Sequence, residues 1–238
     1  MKRLILLVVL VVLFADNLTG KLNPSEIEWA AVKSSVRWLN FYQGRSLLTF
    51  VVDEFPALRG LPPGGYYPPT KFPPGNFACC LVAPTSQQAL GKMAIDVRDN
   101  VQYCLVTFGP PEKTPSTIFI PEAPITSSQR DSRITIYNMI PDTSLLWPVK
   151  NGELEVIAVG KARQATFTPH IGFAHTVRVT MKDGKKQVLS ISIPPSTTAA
   201  SWIAFCHDNA KDGRIAVSYI REGSTVYISG VADTGSVD

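Results

Sequence analysis

Apolar residues recur along this chain in short runs that have the length of β-strands. From residue 34 onward, runs rich in Val, Ile, Leu, Phe and Thr are broken by Gly, Pro, Asn or Asp roughly every 8 to 12 residues, which is typical of sandwiches and barrels. In the first half we predict strands at 36–42, 47–52, 76–83, 92–97 and 102–108. In the second half we predict them at 133–140, 145–149, 154–159, 165–168, 173–181, 187–193 and 202–206, with a closing hairpin at 215–220 and 225–229.

Proline and glycine punctuate this series. Seven prolines between residues 56 and 74 cannot donate ladder hydrogen bonds, so we predict an ordered loop or polyproline segment at a sheet edge there. The Asp183-Gly184 pair predicts a two-residue hairpin turn. Near the start, Asn23 followed by Pro24 favours one or two helical turns.

A short pattern occurs twice and suggests duplication. Segment 36–41 (VRWLNF) resembles 134–139 (ITIYNM), segment 46–48 (SLL) matches 144–146 in the same register, and Phe77-Ala78 corresponds to Phe173-Ala174. We expect Asn40 and Asn138 to end their strands and to hydrogen-bond a neighbouring turn.

These patterns predict an all-β fold of two tandem antiparallel β-sandwich domains after an N-terminal signal peptide. The predicted division is a signal peptide at 1–20, a first sandwich at 21–108, a Pro-rich linker at 109–130, and a second sandwich with a C-terminal hairpin at 131–238. The chain length also fits one large β domain.

The N-terminus has the pattern of a secretory signal. Lys2 and Arg3 precede an uncharged apolar run at 4–14, which is shorter than the about 20 residues of a membrane-spanning helix. Cleavage after Ala15, cleavage after Gly20 and an uncleaved anchor all stay open. Export and a periplasmic location are therefore expected.

Charge and cysteine content narrow the partners and the redox chemistry. The net charge of +4 falls to about +2 or +3 once the signal is removed, too little to indicate nucleic acid but compatible with a polyanion. Export permits a disulfide, and the candidate pairs join Cys80 or Cys79 to Cys104, with Cys80 and Cys104 the favoured pair. Buried free thiols are the alternative.

Motifs for catalysis or metal binding are missing from the sequence. None of the three histidines, His170, His175 and His207, follows an Asp by three positions, and there is no Gly-x-Ser-x-Gly elbow. His207-Asp208 with a distant Ser, or zinc held by the histidines and Cys206, stay minor alternatives. We predict no catalytic, cofactor or metal site.

Lys182, Lys185 and Lys186 cluster around the predicted Asp183-Gly184 hairpin. Their ammonium groups suit the carboxylates of an anionic polymer, but a solvated turn whose lysines discourage edge pairing is the simpler explanation. Contact with an anionic polysaccharide is therefore a hypothesis at this point.

Several of these motifs together resemble a known family. They are the Val36-Arg37-x-x-Asn40 strand, the Pro-Gly-Asn-Phe start at 74–77, the Tyr-x-Leu-Val strand at 103–106, the second Asn strand at 134–138 and the Lys-Asn-Gly-Glu turn at 150–153. The combination is similar to the periplasmic accessory proteins of bacterial alginate O-acetylation.

The resemblance implies a non-catalytic role beside membrane-bound and periplasmic O-acetyltransferase components. The chain departs from the family in its four cysteines, its Pro-rich first-repeat loop and its C-terminal hairpin. A generic cell-envelope sandwich with an adhesin-like binding or structural role is the alternative.

Overall fold

The structure, a computed structural model, describes residues 24–44, 47–53, 55–83, 89–124, 126, 129–148, 153–168, 175–182, 187–193, 198–208, 214–231 and 233–236. The predicted signal peptide lies outside these residues. The helical turn predicted near Pro24 is a 3-10 turn at Pro24–Glu26. Within the described ranges, no helix is long and apolar enough to cross a bilayer.

The remaining regular elements are strands. In chain order they are β1 (Ser35–Tyr42), β2 (Leu48–Val52), β3 (Phe55–Leu61), β4 (Tyr66–Lys71), β5 (Gly75–Val82), β6 (Ala89–Val97), β7 (Gln102–Gly109), β8 (Ser116–Pro121), β9 (Ser132–Asn138), β10 (Ser144–Pro148), β11 (Leu154–Ile157), β12 (Ala162–Phe167), β13 (His175–Lys182), β14 (Gln187–Ile193), β15 (Ser201–Asp208), β16 (Ile215–Arg221), β17 (Tyr227–Val231) and β18 (Asp233–Ser236).

The strands form four sheets that make two sandwiches, which confirms the predicted fold class. Sheet A has the order β4-β1-β7-β8 and sheet B the order β3-β2-β5-β6, and these two form the first sandwich. Sheet C, β12-β9-β15-β16-β17, and sheet D, β11-β10-β13-β14-β18, form the second. The first eight strands and the next eight therefore follow the same order, and β17 and β18 extend only the second sandwich.

The chain divides into two compact units, and the division crosses two strands. The first unit comprises Met1–Asn40, Arg45–Val106 and Thr114–Pro121. The second comprises Phe41–Gly44, Thr107–Lys113 and Glu122–Asp238. The ends of β1 and β7 therefore belong to the second unit.

One strand pair in sheet C departs from the expected antiparallel pattern. β9 and β15 are parallel, with Arg133 opposite Ser201 and Asn138 opposite Cys206. A parallel pair needs a long crossover rather than a hairpin, and here the crossover contains β10 to β14.

Sheet A has the corresponding parallel pair. The amide of Ser35 donates to the carbonyl of Val101, at 3.2 Å, and the amide of Gln43 donates to the carbonyl of Gly109, at 3.1 Å. Residue numbers increase together along β1 and β7 from the first bond to the second, so the two strands are parallel.

Asn40 and Asn138 fix the same corner in the two sandwiches. Asn40 Nδ2 donates to Leu61 O at 3.1 Å, and Asn138 Nδ2 donates to Ile157 O at 3.0 Å. The carbonyl of each Asn accepts from the amide of a glycine, Gly64 or Gly160, at 2.7 Å. Both glycines have φ near +73°, a conformation that residues with a Cβ rarely adopt.

Asn138 also serves the turn that follows its strand. Its Nδ2 donates to Thr143 O at 2.7 Å, and its Oδ1 accepts from the amide of Ile140 at 3.1 Å. The predicted hydrogen bond from this Asn to a neighbouring turn is therefore confirmed.

Alternating apolar side chains fill each sandwich. Trp38 of β1 and Phe50 of β2 are fully buried, with ring centroids 6.3 Å apart. In the second sandwich, Ile134 and Ile136 of sheet C belong to one buried cluster with Leu189 of sheet D. Truncating such a core residue to Ala costs roughly 2 to 5 kcal/mol, so these side chains dominate the stability of the frame.

Strands also form in segments that were predicted to be irregular. β3 and β4 occupy the Pro-rich stretch, and both are edge strands, where a missing N–H does not interrupt the ladder. The linker predicted at 109–130 is wrong in its middle part, because β8 joins the edge of sheet A. Its apolar residues Ile118 to Ile120 provide the strand character.

The second repeat match is shifted by one residue from the predicted register. Leu48 is fully buried in β2 whereas Leu47 is 48% exposed, and in β10 the fully buried leucine is Leu145. Aligning Leu47 with Leu145 would place an exposed side chain against a core one. Such a slip exchanges the two faces of a strand.

The end of the predicted linker is an ordered part of the second unit. Glu122 Oε2 accepts from the amide of Gly223 at 2.8 Å, and Glu222 Oε1 accepts from the amide of Ala123 at 2.9 Å. Arg133 Nη2 lies 3.1 Å from Glu222 Oε2 and compensates its buried charge. These bonds attach the chain before β9 to the turn after β16.

Candidate functional site

Of the predicted lysine cluster, only Lys182 belongs to the described residues. Lys182 is the last residue of this strand and stands opposite Ser144 of β10, whereas Lys185, Lys186 and the turn between them and β13 lie outside the described residues. β13 and β14 pair antiparallel from His175–Ile193 to Thr180–Val188, as the predicted hairpin requires. The structure thus attaches this hairpin to sheet D.

Sheet D presents a row of hydroxyl groups around one guanidinium on its outward side. We call this set the arginine face; it consists of Thr176, Arg178, Thr180, Ser190 and Ser192. Two-residue alternation along β13 and β14 places these residues on the side opposite the buried Val179, Met181, Leu189 and Ile191.

The arginine face is largely exposed to solvent. Thr176, Arg178 and Ser192 are exposed, and Ser190 stands opposite Arg178 in the ladder. The hydroxyl oxygens of Thr176 and Ser192 lie 3.3 Å apart. Among the described residues, no carboxylate forms an ion pair with Arg178.

This combination of groups suits an anionic carbohydrate. A guanidinium binds a carboxylate through two parallel hydrogen bonds, and it remains charged at every physiological pH. Ser and Thr hydroxyls both donate and accept, which is what sugar hydroxyls require of a partner. A pleated sheet holds these groups on a rigid surface.

Sequence reasoning singled out the lysines and missed Arg178. The signal was present in the TVRVTMK sequence of β13, in which polar residues alternate with Val and Met. One arginine in such an alternation looks like an ordinary solvated strand residue. Only the pairing with β14 shows that Ser190 and Ser192 belong to the same face.

The corresponding face of the first sandwich has a different composition. β5 and β6 occupy the places of β13 and β14, and their outward pairs are Asn76–Asp96, Ala78–Ala94 and Cys80–Lys92. Exposed alanines thus stand at its centre, where sheet D has Arg178 and Ser190. The arginine face has no counterpart on sheet B.

His207 and Ser218 form a contact that resembles part of a catalytic triad. His207 Nε2 lies 2.9 Å from Ser218 Oγ, and His207 Nδ1 lies 2.9 Å from the main-chain oxygen of Asp208. Because a carbonyl only accepts, Nδ1 donates to the Asp208 oxygen, whereas Ser218 Oγ donates to Ser229 Oγ at 3.0 Å. The carboxylate of Asp208 accepts instead from Gln43 Nε2, at 2.8 Å.

Burial gives this pair a structural role. Ser218 is fully buried and His207 is 5% exposed, so a substrate has no path to the serine oxygen. His207 also stacks on Phe41, with ring centroids 3.9 Å apart. Desolvation lowers the pKa of His207 to about 4 and so favours the neutral ring. The hydrogen bond to the Asp208 carbonyl acts in the opposite direction but is the smaller effect.

The disulfide predicted between Cys80 and Cys104 is wrong for this structure, in which all four cysteines are thiols. Alternation in β5 turns Cys79 inward and Cys80 outward, away from sheet A, which contains Cys104. A bridge between strands of two stacked sheets requires both sulfurs to point inward. Burial, with smaller contributions from the nearby Asp53 and Cys80, raises the pKa of Cys79 to about 12, so this thiol is unreactive.

The residues considered for zinc do not converge. Cys206 belongs to the core cluster, and its neighbour His207 points to the other side of β15, so the two cannot bind one ion. His170 and the side chain of His175 lie outside the described part. No three His, Cys, Asp or Glu residues group around a metal position in the described ranges.

Comparison with protein-family models finds no match for this chain, and comparison with curated proteins finds none either.

Proposed function

We propose that this chain is a non-catalytic periplasmic accessory protein in the O-acetylation of alginate or a similar anionic exopolysaccharide. In this role the arginine face of the second sandwich holds the polymer, and acetyltransferase components modify it. The observation that carries the proposal is the exposed Arg178 beside the hydroxyl residues Thr176, Thr180, Ser190 and Ser192 on the outward side of sheet D. The motifs shared with accessory proteins of alginate O-acetylation support the same role.

Each contact on such a face is weak, which suits a polymer that must move on. An exposed ion pair contributes roughly 0.2 to 1 kcal/mol, and salt screens it over about 10 Å at 0.1 M. Because a polymer contacts several such groups together, its retention exceeds that of a single sugar.

Retention of the purified mature chain on immobilised alginate at low salt tests the proposal. We expect Arg178→Ala to shorten retention, and the triple change Lys182→Ala, Lys185→Ala and Lys186→Ala to shorten it further. Added salt should abolish the wild-type retention.

The matched control is Lys92→Ala, which removes one exposed cation from the outward face of sheet B. We expect this variant to elute with the wild type. Equal retention of Arg178→Ala and wild type would contradict the proposal that the arginine face binds the polymer.

A further inference from the structure

The first sandwich contains an apolar cleft that plays no part in the proposed polymer contact. The cleft has a volume of about 260 Å³ and lies where β3 and β4 form neighbouring edges of the two sheets. Val36, Leu58 and Phe72 are buried and line its inner wall. An engineered cavity of about 150 Å³ accepts benzene, so this cleft has room for a ring or a short alkyl chain.

The segment before β1 forms one side of the opening. Trp29 lines the cleft and is 40% exposed, so its indole contacts both the apolar wall and solvent. Lys71, the last residue of β4, holds this segment in place, since its Nζ donates to Trp29 O at 2.7 Å and to Ala30 O at 3.4 Å.

Lys71 is also the charged group of the opening. Its ammonium has three donors, and the hydrogen bonds it makes among the described residues use two main-chain carbonyls, which leave its positive charge uncompensated. Apart from Thr70 and Lys71 itself, the residues that line the cleft are apolar. An apolar cleft with one cation at its opening selects a ligand that has an apolar body and a negative end.

The corresponding edge strands of the second sandwich are joined by an exposed ion pair. There β11 and β12 take the places of β3 and β4, and Glu155 Oε2 lies 2.7 Å from Arg163 Nη2 between them. The acid that satisfies the cation is thus supplied by the protein itself. Arg163 stands opposite Ile136 and so matches Tyr67 of β4, whereas Thr166 takes the place of Lys71. The Lys71 ammonium beside the cleft therefore belongs to the first sandwich alone.

We propose that this cleft binds a small carboxylate with an apolar body, such as a medium-chain fatty acid. The carboxylate pairs with Lys71 Nζ, the alkyl chain lies against Val36, Leu58 and Phe72, and the Trp29 indole covers it. The site is separate from the arginine face, so either proposal can fail without the other.

Tryptophan fluorescence of the mature chain, titrated with hexanoate and in parallel with hexan-1-ol, tests this inference. We expect saturable binding of hexanoate, an affinity at least several-fold lower for the alcohol, and loss of the signal in Trp29→Phe. Lys71→Met should equalise the two affinities, and because Lys71 is exposed this variant should fold normally. Arg163→Met, which removes an exposed cation from the corresponding edge of the second sandwich, is the matched control and should leave the titration unchanged.

The inference is overturned if hexanoate gives no saturable change, or if Lys71→Met binds hexanoate as well as the wild type does. A competition titration with unlabelled alginate oligomers should leave hexanoate binding unaltered. Displacement by the oligomers would contradict the separation of the two sites.

Discussion

The corner around Asn40 and the corner around Asn138 are built alike, whereas the outward faces of sheets B and D share almost nothing. Each Asn donates to a carbonyl on a facing strand and accepts from a glycine with φ near +73°. On the outward faces, Ala78 and Ala94 stand where Arg178 and Ser190 stand. Side chains that bond the backbone fix the frame, and exposed strand positions are free to acquire different partners.

The two sandwiches also differ in the side chain found at one pair of matching buried positions. The amides of Ser35 and Arg133, which match in the two repeats, donate to the carbonyls of Val101 and Ala200, so Phe108 of β7 matches His207 of β15. Phe108 is apolar and cannot titrate, whereas His207 brings a proton-binding group into a buried network with Ser218. The second sandwich alone should therefore respond to mild acid through this position.

The largest expected effect is loss of an Asn corner. Asn138→Ala leaves the carbonyls of Thr143 and Ile157 and the amide of Ile140 without their side-chain partner. Each unsatisfied buried group costs about 1 to 3 kcal/mol, so we expect a loss of about 4 kcal/mol in the free energy of unfolding. Urea denaturation measures it.

Asn40→Ala should also be strongly destabilising if the two corners are equivalent. The control is Asn76→Ala, at an exposed position on sheet B, for which we expect a change within about 0.5 kcal/mol. A loss below about 1 kcal/mol for Asn138→Ala would mean that the corner is not a determinant of the fold.

A smaller effect concerns the pH dependence of stability. The pKa of His207 is lowered from 6.5 to about 4 in the folded chain, so between these values the unfolded chain binds a proton that the folded chain does not. Stability is therefore full above pH 6.5 and falls as pH drops toward 4, by roughly 3 kcal/mol at the limit.

His207→Phe, which gives β15 the residue that β7 has, isolates this effect. The raised pKa of Asp208, caused mainly by desolvation, acts in the opposite direction and is retained in the variant. We expect the slope of unfolding free energy between pH 6.5 and 4 to be lower in the variant than in the wild type. Parallel slopes would show that His207 titrates normally in the folded chain.

The fold class followed from alternation and punctuation, because burial of one strand face leaves a period of two in the sequence. The direction of strand pairing leaves no such trace, so the parallel β9–β15 pair was missed. β3, β4 and β8 were missed because proline at a sheet edge resembles proline in a loop.

The site was predicted only in part. The lysine hairpin was placed on the right pair of strands, since the Asp183-Gly184 signal is local. Arg178 was missed because its neighbours on the arginine face come from another strand. The Cys80–Cys104 bridge failed because alternation shows that Cys79 and Cys80 face opposite ways, without showing which one faces inward.

Ester-linked acetate on the exported polysaccharide tests the central claim most directly. The strain that lacks this gene is compared with strains complemented by the wild type, by Arg178→Ala and by Lys92→Ala. The account predicts that acetate falls on deletion, that the wild type and Lys92→Ala restore it, and that Arg178→Ala restores it only in part. Unchanged acetate after deletion, with the protein exposed at the cell surface, would contradict the account and favour an adhesin-like envelope module.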